Sequence, residues 1–257
     1  MSKEYKKYLI KDKIYGYGVL ITRILIFVVF IGLWELLSNK EIINSFVFSS
    51  PSRIINTILT FYRQNTLLLH IFVTVKECIV AFLITSIISY IVAILLYQFK
   101  FLLDVFDPYL VIFNSLPKVA LGPIIIILFG ANQKSIIVMA ILISIIVSIQ
   151  NLLNGFVNTD KIKINLLKTF GANNFDIIFK VVIPSNKSNI INAFKINISM
   201  CLIGVISGEF LTSKEGIGHL IMYGFQMFNL NLVMSGILIL FVISIIFYGL
   251  ISLFYRR

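Results

Sequence analysis

Six runs of apolar residues, each about twenty residues long, constrain the fold of this chain more than any other feature. A helix needs about 20 residues to cross a bilayer, and only helices and closed β-barrels satisfy their own backbone there. The chain is 59% hydrophobic and 13% charged, whereas soluble domains average about 25% charged residues. The sequence therefore predicts an all-α, polytopic membrane protein. Its six transmembrane helices are expected at residues 18–38, 70–97, 107–129, 136–156, 189–211 and 230–254.

The basic residues predict how these spans are oriented. An even number of spans places both termini on one side of the membrane, and the net charge is +11. Thirteen Lys and Arg residues fall on the side of the termini. The other side carries five: Lys40, Arg53, Arg63, Lys134 and Lys214. Because Lys and Arg accumulate in cytoplasmic loops, we expect a basic cytoplasmic tail, residues 1–17, and a transmembrane domain, residues 18–257, with a cytoplasmic loop at 158–187.

The third predicted span is interrupted by polar and helix-breaking residues. Pro117 and Pro123 each remove a backbone hydrogen bond, which membranes tolerate only where protein or water satisfies the freed carbonyls. We therefore expect this span to be broken or kinked and to face the interior of the bundle, where transporters place their pathways. A kink with only a packing role is the alternative. The predicted substrate pathway consists of Asn114, Ser115, Pro117, Lys118 and, near the end of the fifth span, Glu209.

Two polar features lie near the first span. Ser50-Pro51-Ser52 is typical of a helix start, and the apolar residues after it share one face, which predicts an amphipathic helix on the outer surface. That face consists of Ile54, Ile55, Ile58, Leu59 and Tyr62. Glu35, close to the end of the first span, is expected to form hydrogen bonds at the interface or to another helix.

The segment Lys161–Pro184 is the one long polar stretch in the second half of the chain. Within it, Ile164, Leu167 and Phe170 recur at three-residue spacing, which predicts a short helix with one apolar anchor face. Gly171 then permits the left-handed turn that ends a helix. We interpret the segment as a helix–turn–helix on the membrane surface that docks another protein. An amphipathic interfacial helix without a partner is the alternative.

Residues suited to catalysis or energy conversion are not evident in the sequence. It contains no Gly-x-x-x-x-Gly-Lys-Ser/Thr phosphate loop, and His70 and His219 belong to no zinc motif. Cys78 and Cys201 fall inside predicted spans, where buried thiols are expected rather than a disulfide or metal site. We expect no catalytic residue, no metal and no cofactor bound by this chain, so that energy comes from a partner. A membrane-embedded enzyme and a non-transporting membrane scaffold are the alternatives.

Short motifs along most of the chain point to one family. Gly171, nine residues and then Val181-Val182-Ile183-Pro184 resemble the second half of the "EAA" loop of bacterial ABC-importer permeases. The order and spacing of further motifs resemble the permease subunits of sulfonate, taurine, nitrate and thiamine-precursor importers. These motifs are WELL (34–37), SPSRI (50–54), DPYL (107–110), SLPKVALGP (115–123), ILFG (127–130), GAN (171–173) and GEFLTSKEGIGHLI (208–221).

The resemblance implies a six-helix type I, MetI-like permease fold in the cell (cytoplasmic) membrane. It implies that this chain is a transport subunit, that a separate ATPase uses ATP and Mg, and that an extracytoplasmic binding protein delivers the substrate. That substrate would be a small anionic or heterocyclic organic molecule of the sulfonate, nitrate or vitamin-precursor class. A homodimer of the permease, in contact with lipid and not with nucleic acid, is implied as well.

The same resemblance implies which residues couple the loop to the ATPase. Asn165-Leu166-Leu167 stands where the family has Glu-Ala-Ala, so we expect docking through Leu166 and Leu167 without the charged contact of the Glu. The full set of expected coupling residues is Asn165, Leu166, Leu167, Phe170, Gly171, Ala172, Asn173 and Pro184.

Overall fold

The computed structural model describes residues 3–40, 42 and 49–253, most of which are helical. The helices are α1 (Lys3–Asn39), α2 (Pro51–Arg63), α3 (Leu67–Gln98), α4 (Lys100–Ser115), α5 (Gly122–Phe129), α6 (Gln133–Val157), α7 (Lys161–Thr169), α8 (Asn174–Ile177), α9 (Ile183–Ser185), α10 (Lys187–Thr212), α11 (Ile217–Gln226) and α12 (Leu230–Leu253). From Lys3 onward, the predicted basic tail forms the first part of α1. Arg256 and Arg257 lie outside the described residues.

Five helices are long and apolar enough to cross a membrane. They are Tyr17–Asn39, Leu67–Gln98, Gln133–Val157, Lys187–Thr212 and Leu230–Leu253. The two consecutive segments Lys100–Ser115 and Lys118–Phe129 are together also long and apolar enough, but the chain bends by 82° between them. The predicted number of six spans is therefore reached when the bent pair counts as one.

The bend in the third span follows from its prolines. Leu116 has φ −67° and ψ 139°, the extended conformation that a residue before proline prefers, so α4 ends at Ser115. Pro123 sits in the first turn of α5, where its missing N–H costs nothing. The predicted break is confirmed.

The expectation that this span faces the interior is wrong for the single chain. On α4 only Leu110 is buried, and on α5 only Gly122 and Ile125 are. Both helices pack mainly against α6 and lie at the edge of the bundle. Most of their apolar side chains are left uncovered by the chain itself.

Helix α2 begins where the sequence predicts. The Ser50 hydroxyl accepts a hydrogen bond from the Arg53 N–H at 3.4 Å, and Glu35 accepts from Ser52 N at 3.0 Å and from Ser52 Oγ at 2.8 Å. The interpretation of Glu35 as an inter-helix hydrogen-bonding residue is confirmed. Of the predicted apolar face, Ile54 is buried and Ile58 is half-buried where α12 packs against the helix. The other three residues, Ile55, Leu59 and Tyr62, are exposed.

Helices α3, α6 and α10 form the centre of the bundle, and small residues let α6 and α10 approach closely. A Cβ added to Gly204 would lie 2.5 Å from the Ala140 Cα, and one added to Gly208 would lie 3.0 Å from the Ile136 Cα. Such contacts between small residues allow helix backbones to pack tightly in membranes. At mid-length, Asn197 on α10 donates a hydrogen bond to Ser86 Oγ on α3 at 2.8 Å, which pairs two buried polar side chains.

The bundle has two ends. One carries α7–α9, which belong to loop 158–187, and we call it the loop end. The other carries the segment after α10 and helix α11, and we call it the far end. Helix α10 runs between them, from Lys187 at the loop end to Thr212 at the far end.

Candidate functional site

Loop 158–187 contains the predicted helix–turn–helix. Asp160 caps α7 through a hydrogen bond from Ile162 N to Asp160 Oδ1 at 2.9 Å. The helix ends at Thr169, and Gly171, two residues later, has a left-handed φ of +77°. The Gly171 N–H then donates to the Lys168 carbonyl at 3.0 Å, and the Ala172 N–H to the Leu167 carbonyl at 3.1 Å. These bonds satisfy the last carbonyls of α7, as a glycine-terminated helix requires.

The second helix of the loop starts with a capping box. The Asn173 side chain accepts from the Asp176 N–H at 2.8 Å, and Asp176 accepts in return from the Asn173 N–H at 3.4 Å. Lys180 forms an ion pair with Asp176 at 2.5 Å. The hydrogen bond from Lys180 lowers the pKa of Asp176 below its ordinary value. After α8 the chain makes a π turn, Ile178–Val182, and passes through α9 into α10.

The face that anchors the loop differs from the predicted one. Ile164 and Leu167 are half-buried and pack against the buried cluster that includes Phe156, whereas Phe170 is 79% exposed. Each residue of an α-helix is rotated by about 100° from the one before, so a residue three positions later lies about 60° short of a full turn. Two such steps place Phe170 about 120° away from Ile164, on another side of the helix. The prediction of Phe170 as an anchor is therefore wrong. Leu167 faces the bundle and is not free to dock a partner in the way we expected.

A different set of apolar side chains projects from α7. Ile162 is 78% exposed, Leu166 is 55% exposed and Phe170 is 79% exposed. Residues four apart lie on one face of a helix, so these three form one continuous strip, which we call the apolar stripe. Four-residue spacing was the signal in the sequence that would have identified it. Of the other expected coupling residues, Asn165, Asn173 and Pro184 are exposed and Ala172 is half-buried.

The base of the loop is joined by side-chain amides, of which Asn186 is buried. Asn186 Nδ2 donates to Thr159 Oγ1 at 2.7 Å, and Asn189 Nδ2 donates to Asn186 Oδ1 at 2.9 Å. Gly155 provides the room, since a Cβ there would lie 3.1 Å from the Asn189 Cβ. The last turn of α6 and the first turn of α10 are thereby linked across the loop.

Four of the five predicted pathway residues lie together at the bend of the third span. Asn114, Ser115 and Pro117 are exposed, and Lys118 Nζ donates to Asn114 Oδ1 at 3.2 Å and to the Ile143 carbonyl at 3.5 Å. The structure does not bring Glu209 to this group. Glu209 is 1% exposed at the far end, so in this conformation it faces no open space.

Hydrogen bonds to Glu209 and to its neighbours hold the start of α11 at the far end. Glu209 accepts from Gly218 N at 2.5 Å and from Thr74 Oγ1 at 2.7 Å. Thr74 in turn accepts from the Ile217 N–H at 2.8 Å, and His70 Nδ1 accepts from the Gly216 N–H at 2.9 Å. Three consecutive N–H groups, which helix geometry would leave without partners, are thus satisfied by α3 and α10.

Beside this network lies a cavity of about 460 Å³. Its wall is formed by α3, the start of α6 and the segment after α10, and Glu77, Gln133 and Lys214 are among its lining residues. In the part of the chain that the structure describes, no group of three or more His, Cys, Asp or Glu side chains is placed to hold a metal ion. Cys78 and Cys201 are both free thiols and both buried.

A comparison with known protein families places these features in context. Residues 85–257 match the family described as "Binding-protein-dependent transport system inner membrane component". The match covers the bent third span, loop 158–187 and the far end. The chain belongs to this family. The predicted resemblance to ABC-importer permeases is confirmed, and with it the all-α, polytopic permease fold.

Individual relatives agree with the family. The permease is 28% identical to a "Probable ABC transporter permease protein" of Haemophilus influenzae over 229 residues, which are 89% of this chain and 93% of the relative. It is 22% identical to the formylaminopyrimidine transport permease protein ThiX of Halalkalibacterium halodurans, over 76% of this chain and 77% of ThiX. It is 18% identical to the taurine transport system permease protein TauC of Escherichia coli, over 84% of this chain and 80% of TauC.

These findings assign the chain a transport role as a multi-pass inner-membrane ABC permease. A permease is a transport subunit, in agreement with the expectation that this chain is not itself an enzyme.

Proposed function

We propose that this permease couples to a separate ATPase subunit through loop 158–187 and imports a small organic solute. The apolar stripe of Ile162, Leu166 and Phe170 is the observation that carries the proposal. Exposed apolar patches bordered by polar residues are typical of protein interfaces, and the exposed Lys163 and Thr169, each three residues from Leu166, border this one. An apolar stripe on a short helix fits a groove in a partner, as helix-in-groove recognition does.

The connections of the loop explain how docking can drive transport. Its base is linked to α6 and α10 through Asn186 and Thr159, and those two helices pack backbone to backbone at Gly204 and Ala140. Closely packed helices transmit displacement because they shift as units rather than deform. When ATP and Mg close a pair of ATPases, the two stripes are drawn together, and α6 and α10 rock with them. The chain itself binds neither nucleotide nor metal in this scheme.

A second copy of the permease completes the pathway. Asn114 and Ser115 are exposed at the bend, among strongly exposed apolar side chains such as Ile127, at 83%, and Leu128, at 71%. Polar groups within membrane spans almost always face protein or a water-filled cavity rather than lipid. We infer that a second permease covers α4 and α5, and that Asn114, Ser115, Pro117 and Lys118 line the path between copies. The exposed apolar side of α1 faces lipid.

The orientation and the substrate follow from charge and from the relatives. The excess of Lys and Arg at the termini and in loop 158–187 supports a cytoplasmic location for both. The far end then faces an extracytoplasmic binding protein that delivers the substrate. Taurine carries a sulfonate and formylaminopyrimidine a heterocyclic ring, so we propose a small anionic or heterocyclic substrate of the sulfonate, nitrate or vitamin-precursor class.

Substitution of the apolar stripe tests the coupling. Leu166→Asp places a charge at the centre of the stripe without touching the bundle, because Leu166 is 55% exposed. We expect the ATPase to be lost from the purified complex, with unchanged membrane insertion. Lys161→Gln is the matched control: it also lowers the charge of α7 by one, on an exposed residue away from the stripe, and should retain the ATPase. Retention of the ATPase by Leu166→Asp would contradict the proposal.

Cysteine labelling tests the pathway. The native thiols Cys78 and Cys201 are buried, so cysteines introduced at Asn114 and Ser115 can be followed separately. Both should react with a water-soluble maleimide in at least one nucleotide state of the assembled transporter. A cysteine at Phe27, which is 61% exposed on α1, should face lipid and stay unreactive. Unreactive cysteines at 114 and 115 in every state would remove these residues from the pathway.

A further inference from the structure

Two buried carboxyl groups at the far end differ in their partners. Glu209 on α10 and Glu77 on α3 are each 1% exposed. Glu209 accepts hydrogen bonds from the Thr74 hydroxyl at 2.7 Å and from the Gly218 N–H at 2.5 Å. Glu77 Oε2, in contrast, is buried without a hydrogen-bond partner among the residues that the structure describes. Buried polar groups almost always have partners, so the attachment of α11 explains Glu209 but leaves Glu77 unexplained.

Glu77 is part of the wall of the cavity of about 460 Å³ that lies beside this network. That volume falls within the range of about 300–1,000 Å³ that is typical of small-ligand sites. The wall also includes Asn132 and Lys214, which are exposed, so the cavity opens at the surface of the far end. The unpartnered oxygen therefore belongs to a space that a small solute can enter.

Two lysines belong to the same wall. Lys76 precedes Glu77 on α3, Lys214 follows α10, and both are exposed. Within residues 49–253, neither lysine forms an ion pair with a carboxyl group. Lys76 lies nine residues after the start of the span Leu67–Gln98, about 14 Å along the helix. Ionisable side chains at such a depth almost always face protein or water rather than lipid, which fits a polar cavity.

The rest of the wall combines polar side chains with apolar surface. Asn132 and the half-buried Gln133 add amide groups, and the exposed Glu215 adds a carboxyl group. The exposed part of the wall thus carries two amino groups and one carboxyl group, whereas the buried part carries the Glu77 carboxyl group. The apolar surface comes from Leu69, Phe72, Val73 and Ile136. The cavity therefore offers an excess of basic charge toward the surface and an unpaired acid in its interior.

We propose that this cavity binds a small zwitterion, with the ammonium group of the ligand on Glu77 and its anionic group at Lys76 and Lys214. An ammonium group supplies both the missing hydrogen-bond donor and a charge opposite to that of the buried carboxylate. A simple cation would leave the two lysines without a partner, and a simple anion would leave Glu77 without one. The solute is held here before it enters the path between the two copies, a role that rests on the proposed function.

Matched probes test the two halves of the ligand on the full-length permease in detergent. β-Alanine and taurine carry an ammonium group and an anionic group, propanoate and ethanesulfonate lack the ammonium group, and ethylamine lacks the anionic group. In isothermal titration calorimetry, both zwitterions should bind about tenfold or more tightly than the probes that lack one group, because each lost charged hydrogen bond weakens binding by at least that factor. Equally tight binding of ethylamine, or no binding of either zwitterion, would overturn the proposal.

Substitution of Glu77 tests whether it contacts the ammonium group. Glu77→Gln should weaken the binding of both zwitterions about tenfold and leave propanoate and ethanesulfonate unaffected, since these have no group to place there. A purely structural role of Glu77 would instead weaken all anionic probes alike. Glu215→Gln is the matched control, because it makes the same chemical change on an exposed residue of the wall, and should retain the preference for zwitterions. Loss of that preference in Glu215→Gln but not in Glu77→Gln would contradict the assignment.

Cysteine protection provides a test that does not depend on the folding of Glu77→Gln. Ala131 is exposed in the wall of the cavity, Asn158 is exposed at the loop end, and the native thiols are buried. With β-alanine at about ten times its Kd, maleimide labelling of Ala131→Cys should slow about tenfold, because only that fraction of the sites is free. Labelling of Asn158→Cys should not change. An unprotected cysteine at 131 would place the bound zwitterion elsewhere.

The outcome of these measurements is separate from that of the coupling experiment, because none of them needs an ATPase. Binding of zwitterions by a permease that does not retain an ATPase would preserve the site and remove the coupling. Retention of the ATPase without binding of zwitterions would do the reverse.

Discussion

The two ends of α10 are built in opposite ways. At the loop end, the chain before α10 leaves Ile162 and Phe170 more than three-quarters exposed and is held at its base by the Asn186 amide. At the far end, the chain after α10 is held by Glu209, itself 1% exposed, and by its neighbours on α3. One end presents an uncovered apolar surface and the other buries a hydrogen-bonded carboxyl group.

This difference teaches how a permease can divide two tasks along one helix. A surface that must bind and release a partner has to remain accessible and tolerant of movement. A surface that must retain its shape can use buried hydrogen bonds, which are costly to break once water is excluded. In the proposed coupling, the close packing of α10 on α6 joins the two tasks and carries a displacement from one end to the other.

The largest expected effect on stability comes from replacing a glycine with a left-handed backbone, of which there is one at each end: Gly171 and Gly216. A Cβ at Gly216, where φ is +103°, would meet the Glu209 carboxyl group, whereas a Cβ at Gly171, where φ is +77°, has no other atom within 4 Å. Gly171→Ala should cost about 1–2 kcal/mol of backbone strain. Gly216→Ala should cost about 1–3 kcal/mol more, because Glu209 must move away from its donors.

Thermal unfolding of both variants in detergent measures the difference. Gly18, which has open space around it and no left-handed backbone, is the control, and Gly18→Ala should not lower the unfolding temperature, because alanine favours a helix more than glycine does. Equal losses in Gly216→Ala and Gly171→Ala would show that the far end is no more tightly held than the loop end.

An intermediate effect is expected at the base of the loop. Asn186→Ala removes the bond to Thr159 and should cost about 1 kcal/mol. It should also accelerate hydrogen exchange at the start of α10 more than at the far end. Asn158→Ala is the control, since Asn158 is exposed and its amide bonds only to the Asn154 carbonyl of its own helix. If both variants behaved alike, the base would not link α6 to α10.

The smallest effect concerns the pH dependence of the exposed Asp176–Lys180 pair. The hydrogen bond from Lys180 lowers the pKa of Asp176 below its ordinary value of 3.8. Because the pKa is lower in the folded state, the contribution to stability is complete above pH 3.8 and is lost as the pH falls through the lower pKa of the folded state. An NMR titration of the Asp176 carboxyl group should show this, and Lys180→Gln should raise the pKa of Asp176. An unchanged titration in Lys180→Gln would remove the pair as its cause.

Local patterns predicted much of the fold. The number of spans, the break at Pro117, the start of α2 after Ser50 and the left-handed turn at Gly171 were all read correctly, because each depends on residues adjacent in sequence. The exposed residues on α7 were not predicted correctly. Three- and four-residue spacings both lie within one helix. Which of the two faces is covered depends on a buried cluster that includes Leu96 and Ala193, residues of other helices that are distant in sequence.

The sequence by itself determined that this chain spans a membrane, where its helices break and to which family it belongs, since length, hydropathy and proline positions act locally. Only the tertiary structure decided the partners of Glu209. Thr74 lies 135 residues away in the chain, and Gly218 lies beyond the end of α10. Spacing along the chain cannot reveal such a pairing. It exists because burial in a tightly packed bundle leaves each polar group only the partners that neighbouring helices present.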